Sequence, residues 1–358
     1  MSLVPYPGAK FWLAGVGQRR KLLFTPQGLF DARSGECVRP WQNATLRFSP
    51  DEIGVEIETL GLEARAWEDE TGVWMEEANE ARLLSHELSG GPQVTFASFA
   101  GHPHAALLRK LAHEIHVNVV DGLPLPNLLV YDQPWHRDAA MMALVLQKTG
   151  NLGLLEKWVA GLRDPFDYNN KGHREPDNLG QMLVILALLD QAHHPLRDTI
   201  LRLTSEFGKE NYIEGITDYA PHPVYQTKWL KWGLQKLGLD DDHEIPLILD
   251  DYSSLFWMDY RDQHVLGPRF SAEQGQLYPY LAWAEAHFYT QAPPYHLAAA
   301  ENAAPLTWEA EASEAKYPRQ ELFLPQLAGL KCAAPHTWHS AEMFLYLHEL
   351  GSVAAPPS

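Results

Sequence analysis

The sequence predicts a mainly α chain: helix hairpins closed into an (α/α) toroid over residues 99–358, with a β-rich N-terminal segment over residues 1–98. Three observations predict it. Near His102 the hydrophobic pattern changes from short alternating runs to helical spacing. A unit then recurs in which a loop rich in Pro, Asp, His and aromatic residues runs into an apolar helix. Those helices are apolar on most faces, the mark of a buried helix.

The first segment is read as antiparallel hairpins. RKLLFTPQGLFD, ECVRPW, ATLRFSP, GVEIETLG, EARAWED and GVWMEE are short β-rich runs. Pro-Gln-Gly, Ser-Gly, Pro-Asp and Thr-Gly turns separate them. Arg65, Trp67 and Asp69 alternate with Ala64, Ala66 and Glu68 in the manner of an edge strand. Ser89, Gly90, Gly91 and Pro92 make a turn cluster near the junction.

Helical elements follow. The run from His104 makes the first long helix, and Leu128–Tyr131 reads as a short extended bridge. Residues 139–148 and 152–163 form a hairpin, with Gly150 as C-cap and Asn151 as N-cap. Residues 179–191 and 196–206 form a second, with Pro195 at the first helical position. Another helix runs from Val224 to Leu237 and stops at Gly238. Further helices are expected near Tyr252, Leu281, Glu309 and Ser340. The recurring units begin at Pro134, Glu175, His222, Asp250, Tyr278, Pro305 and Pro335. Such intervals, about 25 to 50 residues, are those of helix-hairpin repeats. An open solenoid would show a soluble face in each repeat, so apolar segments behind polar loops favour closure into a ring.

Composition narrows the function. The 358 residues carry a formal charge of −18 and no basic stripe, which argues against nucleic acid and against an anionic membrane surface. No run of about 18 apolar residues occurs, so no membrane span is expected. Met1–Lys10 lacks the pattern of a signal peptide. Cys37 and Cys332 are the two cysteines and form no metal motif, which fits a reducing, cytoplasmic setting. Twelve Trp and fourteen Tyr supply rings that stack on sugars, though such rings also fill cores.

The polar loops carry the candidate chemistry. Trp135, His136, Arg137 and Asp138 open one buried helix. Asp138 fits a helix cap, and it equally fits a catalytic acid beside a stacking ring. The next loop holds Asp167-Tyr168-Asn169-Asn170 and then Glu175-Pro176-Asp177-Asn178. Asp177 fits a cap, whereas Glu175 lies before the cap position. Glycoside hydrolysis needs two carboxyl groups, one neutral and one ionised, and Asp138, Glu175 and Asp177 are the candidates. Asp218-Tyr219-Ala220-Pro221 leads to Tyr225, Gln226 and Lys228, placed to bind hydroxyls. A buried Lys228 calls for a carboxylate partner. Trp257, Trp308, Glu309, His336, Trp338 and His339 complete the candidate substrate-binding set. His336, His339 and Glu342 are spaced for one helix face, but capping explains them as well, and no metal or other cofactor is expected.

The motifs PWHRDAAMM, EPDNLGQ, PLTWE and PHTWHSAEMFLYL resemble glycoside hydrolases and related enzymes of the six-hairpin (α/α)6 toroid class, over about residues 100–350. That resemblance implies a carbohydrate substrate, acid/base carboxylates at the N-termini of inner helices, and a β-rich segment packed on the toroid. The leading expectation is a glycoside hydrolase acting on an oligosaccharide or glycoconjugate. A sugar epimerase using paired His, a polysaccharide lyase and a non-catalytic carbohydrate-binding protein are the alternatives.

Overall fold

The structure, a computed structural model, describes residues 11–49, 52–86, 94–248 and 337–353. The N-terminal part is nine strands in two antiparallel sheets. β1 (Trp12–Ala14), β2 (Leu22–Thr25), β3 (Gly28–Asp31) and β4 (Cys37–Pro40) form the first, in that order. β5 (Thr45–Phe48), β6 (Gly54–Thr59), β7 (Leu62–Glu68), β8 (Val73–Glu77) and β9 (Glu80–Ser85) form the second. The Pro26-Gln27 turn sets the β2–β3 register, pairing Thr25 with Gly28. Strand β2 is buried along its whole length because both its faces are covered. Leu22 and Phe24 pack towards the second sheet with Val55, Ile57 and Met75. Leu23 packs on Val117, Val120 and Leu128 of the helical part. Alternation of Arg65 and Trp67 with Ala64 and Ala66 does not mark an edge. β7 is the middle strand of five, paired on both sides, and the alternation reflects one buried and one solvated face.

Seven α-helices are present among the described residues: α1 (Ala105–Val117), α2 (His136–Lys148), α3 (Glu156–Gly161), α4 (Asp177–Leu188), α5 (Pro195–Thr204), α6 (Pro223–Lys236) and α7 (Thr337–Val353). Packing runs α6 on α4, α4 on α2, α2 on α7, and α7 on α1. Contact between α4 and α6 is closest at two glycines. A Cβ on Gly180 would lie 2.2 Å from the Trp229 carbonyl carbon, and one on Gly233 would lie 2.9 Å from the Gly180 oxygen. That approach sets the first turns of α4 against the middle of α6. Pro195 does open α5, with His194 as its cap. Asn151 turns its side chain to Thr95 and His116 instead of capping a helix.

The expectation of a mainly α toroid is overturned. Strands are not confined to the first hundred residues. Three further two-stranded hairpins interrupt the helical part: β10 (Val119–Val120) with β11 (Leu123–Pro124), β12 (Gly208–Lys209) with β13 (Tyr212–Ile213), and β14 (Ile216–Thr217) with β15 (Ala220–Pro221). The chain is a mixed structure of helices and five sheets among the described residues. A helix apolar all round reports burial alone, and a layer of packed helices buries it as well as a ring does. Leu128–Tyr131 is a turn, not an extended bridge: the Val130 and Tyr131 N–H groups both donate to the Asn127 carbonyl. The expected helices near Tyr252, Leu281 and Glu309 lie outside the described residues. Among those described, no helix is long and apolar enough to cross a membrane.

Candidate functional site

Four polar elements converge where α2, α4 and α6 begin. Arg137, in the first turn of α2, is buried. Its guanidinium forks onto Asp218 in the β14–β15 turn, at 3.0 and 3.1 Å. The rings of Trp135 and Trp338 lie 5.7 and 5.6 Å from its Cζ. A bidentate carboxylate and two aromatic neighbours hold a guanidinium in one orientation.

Asp177 opens α4 and is fully buried. Its Oδ1 accepts from the Thr217 hydroxyl at 2.7 Å, and its Oδ2 accepts from Gln181 Nε2 at 2.8 Å. Gln181 Nε2 also donates to the Tyr225 hydroxyl, 3.1 Å away on α6. Glu175 lies two residues before Asp177 and is 1% exposed. Its Oε1 accepts from the Asp218 N–H and from Asn170 Nδ2. Burial and the neighbouring Asp177 carboxylate push Glu175 up to about 7, against the pull of Arg137. Burial raises Asp177 too, with Arg137 and its two donors opposing. Burial and Asp177 drive the Tyr225 phenol well above its usual range, so it stays neutral. Two acids in one low-dielectric site cannot both ionise freely, and the result is a carboxyl group that holds its proton near neutral pH.

The remaining candidates take different places. Gln226 is a brace: its amide pairs with both the N–H and the carbonyl of Gly215 and donates to Thr217 at 2.9 Å. His136 is locked by the Pro165 carbonyl at 2.9 Å and stands edge-on to Trp158. Burial lowers its pKa, which leaves it neutral. Lys228 is buried on α6. Asp138 is buried in the first turn of α2, about 100° around the helix from Arg137. Trp257, Trp308, Glu309 and His336 lie outside the described residues, as does the side chain of His339. Glu342, on α7, is pushed up to about 8 by burial. Among the described residues, no group of three or more His, Cys, Asp or Glu is placed to hold a metal ion.

Asn170, Thr217, Asp218 and Gln181 are cluster members that the candidate set does not contain. Asp218 is 43 residues from Glu175 and 81 from Arg137, and only a hairpin brings it there. Its own signal is conformational: φ is +57°, a left-handed geometry that Asp adopts more readily than most residues. A groove of about 1000 Å³ crosses the outer face of the second sheet, lined by Arg47, Glu56, Arg65 and Glu76, and the cluster has no part in it.

No family model matches this chain, and neither a curated protein nor a solved structure does. With the interspersed sheets, this overturns the resemblance to (α/α)6 toroid enzymes.

Proposed function

We propose that the chain is a carbohydrate-active enzyme, a glycoside hydrolase in which Glu175 is the general acid. The observation that carries the reading is the buried Glu175–Asp177 pair, with Glu175 held near pH 7. A glycosidic oxygen is a poor leaving group until protonated, and an acid that keeps its proton at neutral pH meets that need. In the step proposed, the Glu175 proton passes to the leaving oxygen as its bond to the anomeric carbon breaks. Water adds to that carbon and gives its proton to a carboxylate. Asp218 suits that part: its side chain is 29% exposed and Arg137 fixes its orientation. Trp135 and Trp338 supply aromatic surface beside the cluster. An exposed free thiol at Cys37 supports a reducing, cytoplasmic location.

The test is release of new reducing ends from a panel of oligosaccharides and aryl glycosides. Glu175→Gln is expected to lower turnover on oligosaccharides by about 10²–10⁴-fold, the usual worth of general-acid catalysis. Aryl glycosides with good leaving groups should lose far less. Equal losses on both substrates, or no reducing ends from the wild type, would sink the proposal.

A further inference from the structure

We propose that Asn170 is a positioning residue that makes the two oxygens of Glu175 unequal, anchoring one and leaving the other to carry the transferable proton. The inference rests on the acid role given to Glu175. Asn170 Nδ2 donates to Glu175 Oε1 at 3.2 Å and also to the Asp218 carbonyl oxygen. The Asp218 N–H donates to the same Oε1. Among the described residues, none of the hydrogen bonds goes to Oε2. A primary amide has two N–H donors, so one nitrogen serves both acceptors. The flipped amide would turn its oxygen onto a carboxylate and a carbonyl, so the network itself fixes the orientation.

The loop around Asn170 is built to hold it. Tyr168 and Lys171 have φ of +58° and +53°, and such non-glycine conformations persist only where surroundings enforce them. Asn169 Nδ2 ties the loop to the Pro134 carbonyl at 2.7 Å, at the entry to α2. The His173 N–H returns to the Asn170 carbonyl at 2.9 Å. Asn170 therefore links the loop before α4 to the hairpin before α6, with the Glu175 carboxyl between them. Donors gathered on one oxygen stabilise the ionised form there and orient the proton of the neutral form towards the other.

The experiment follows Glu175 directly, by ¹³C NMR titration of the full-length chain labelled at Glu Cδ, with Glu175→Gln identifying the resonance. Asn170→Ala removes a donor to the ionised form, so the Glu175 midpoint should rise by about 1. The alkaline limb of the pH–rate profile should move up with it while kcat falls. Asn170→Ser keeps one donor and should bring the midpoint back part of the way. It also decides the matter if the alanine variant fails to fold. An unmoved midpoint in a folded Asn170 variant would overturn the proposal. The titration needs no substrate, so a moved midpoint without reducing-end release would leave the positioning intact and remove the hydrolase reading.

Discussion

Two buried glutamates, one in each half of the molecule, have been driven in opposite directions. Glu68 closes the gap between the second sheet and α1. It accepts from the Gly15 and Val16 N–H groups at 2.8 and 2.7 Å, from Arg19 at 2.9 Å, and meets His113 at 2.7 Å. Burial pulls its pKa up, but His113 and the two backbone donors outweigh burial and bring it down to about 2. Glu175 is as buried, yet both of its donors fall on one oxygen and a second carboxylate stands beside it. Burial therefore does not by itself decide a carboxylate's charge. The count of donors and the sign of the nearest neighbour decide it. The satisfied glutamate fastens the β-rich segment to the helices, and the under-satisfied one keeps its proton up to about pH 7.

Amide substitution separates the two residues most sharply. Glu68→Gln leaves Arg19, with a side chain 2% exposed, without its counter-charge. Losing one partner of such a pair costs about 3–5 kcal/mol. Glu175→Gln at pH 8 removes a charge that the site disfavours, so it should be neutral or stabilising. Chemical denaturation of both variants at pH 8 checks this. Equal losses would mean that Glu175 is as much a structural anchor as Glu68.

Acid and alkali should separate the two residues next. The Glu68 pKa is lowered from an ordinary value near 4.5, so its contribution is complete above that value and disappears as pH falls towards 2. A drop of that size corresponds to about 3 kcal/mol, lost in acid and absent from Glu68→Gln. The Glu175 pKa is raised, so its contribution is present below about 4.5 and is lost as pH climbs through 7. Wild type and Glu175→Gln should converge below about 4.5 and part between there and 7, by about 1–3 kcal/mol in favour of the glutamine variant, with the gap constant above neutrality. Stability curves from pH 3 to 9 read both limbs, and parallel curves for wild type and Glu175→Gln would refute the raised pKa.

The sequence reveals one of these carboxylates more readily than the other. Glu175 and Asp177 stand out because they straddle a proline at the start of an apolar helix. Glu68 looks like an ordinary member of an alternating strand, and its burial depends on α1, which supplies His113 from 45 residues away. Hairpins such as β2–β3 are legible from Pro26-Gln27-Gly28, because turn chemistry is local. The small hairpins β12–β15 are not, since two-residue strands have no period to read. The second of them, β14–β15, nonetheless delivers Thr217 and Asp218 to the site. The expectation of a closed ring fails for a related reason. Helix periodicity records which residues are buried, not what buries them.

The smallest expected effect is the most diagnostic of coupling between Glu175 and Asp177. Thr217→Val replaces the hydroxyl that donates to Asp177 Oδ1 with a methyl of similar size. Gln226 keeps its bond to the Gly215 carbonyl, so the hairpin retains a brace. Asp177 loses a donor to its ionised form, and its pKa rises further. A more protonated Asp177 repels the Glu175 carboxylate less, and that repulsion is one of the forces raising Glu175. Glu175 should therefore titrate lower, by about 0.5, where removing Asn170 raises it. Two deletions of a single donor, each next to one acid of the pair, should thus move the same group in opposite directions. The Cδ titration of Glu175 in Thr217→Val reads the sign directly. An unmoved Glu175 midpoint would show that the two acids titrate independently, and Asp177 would then have no part in tuning Glu175.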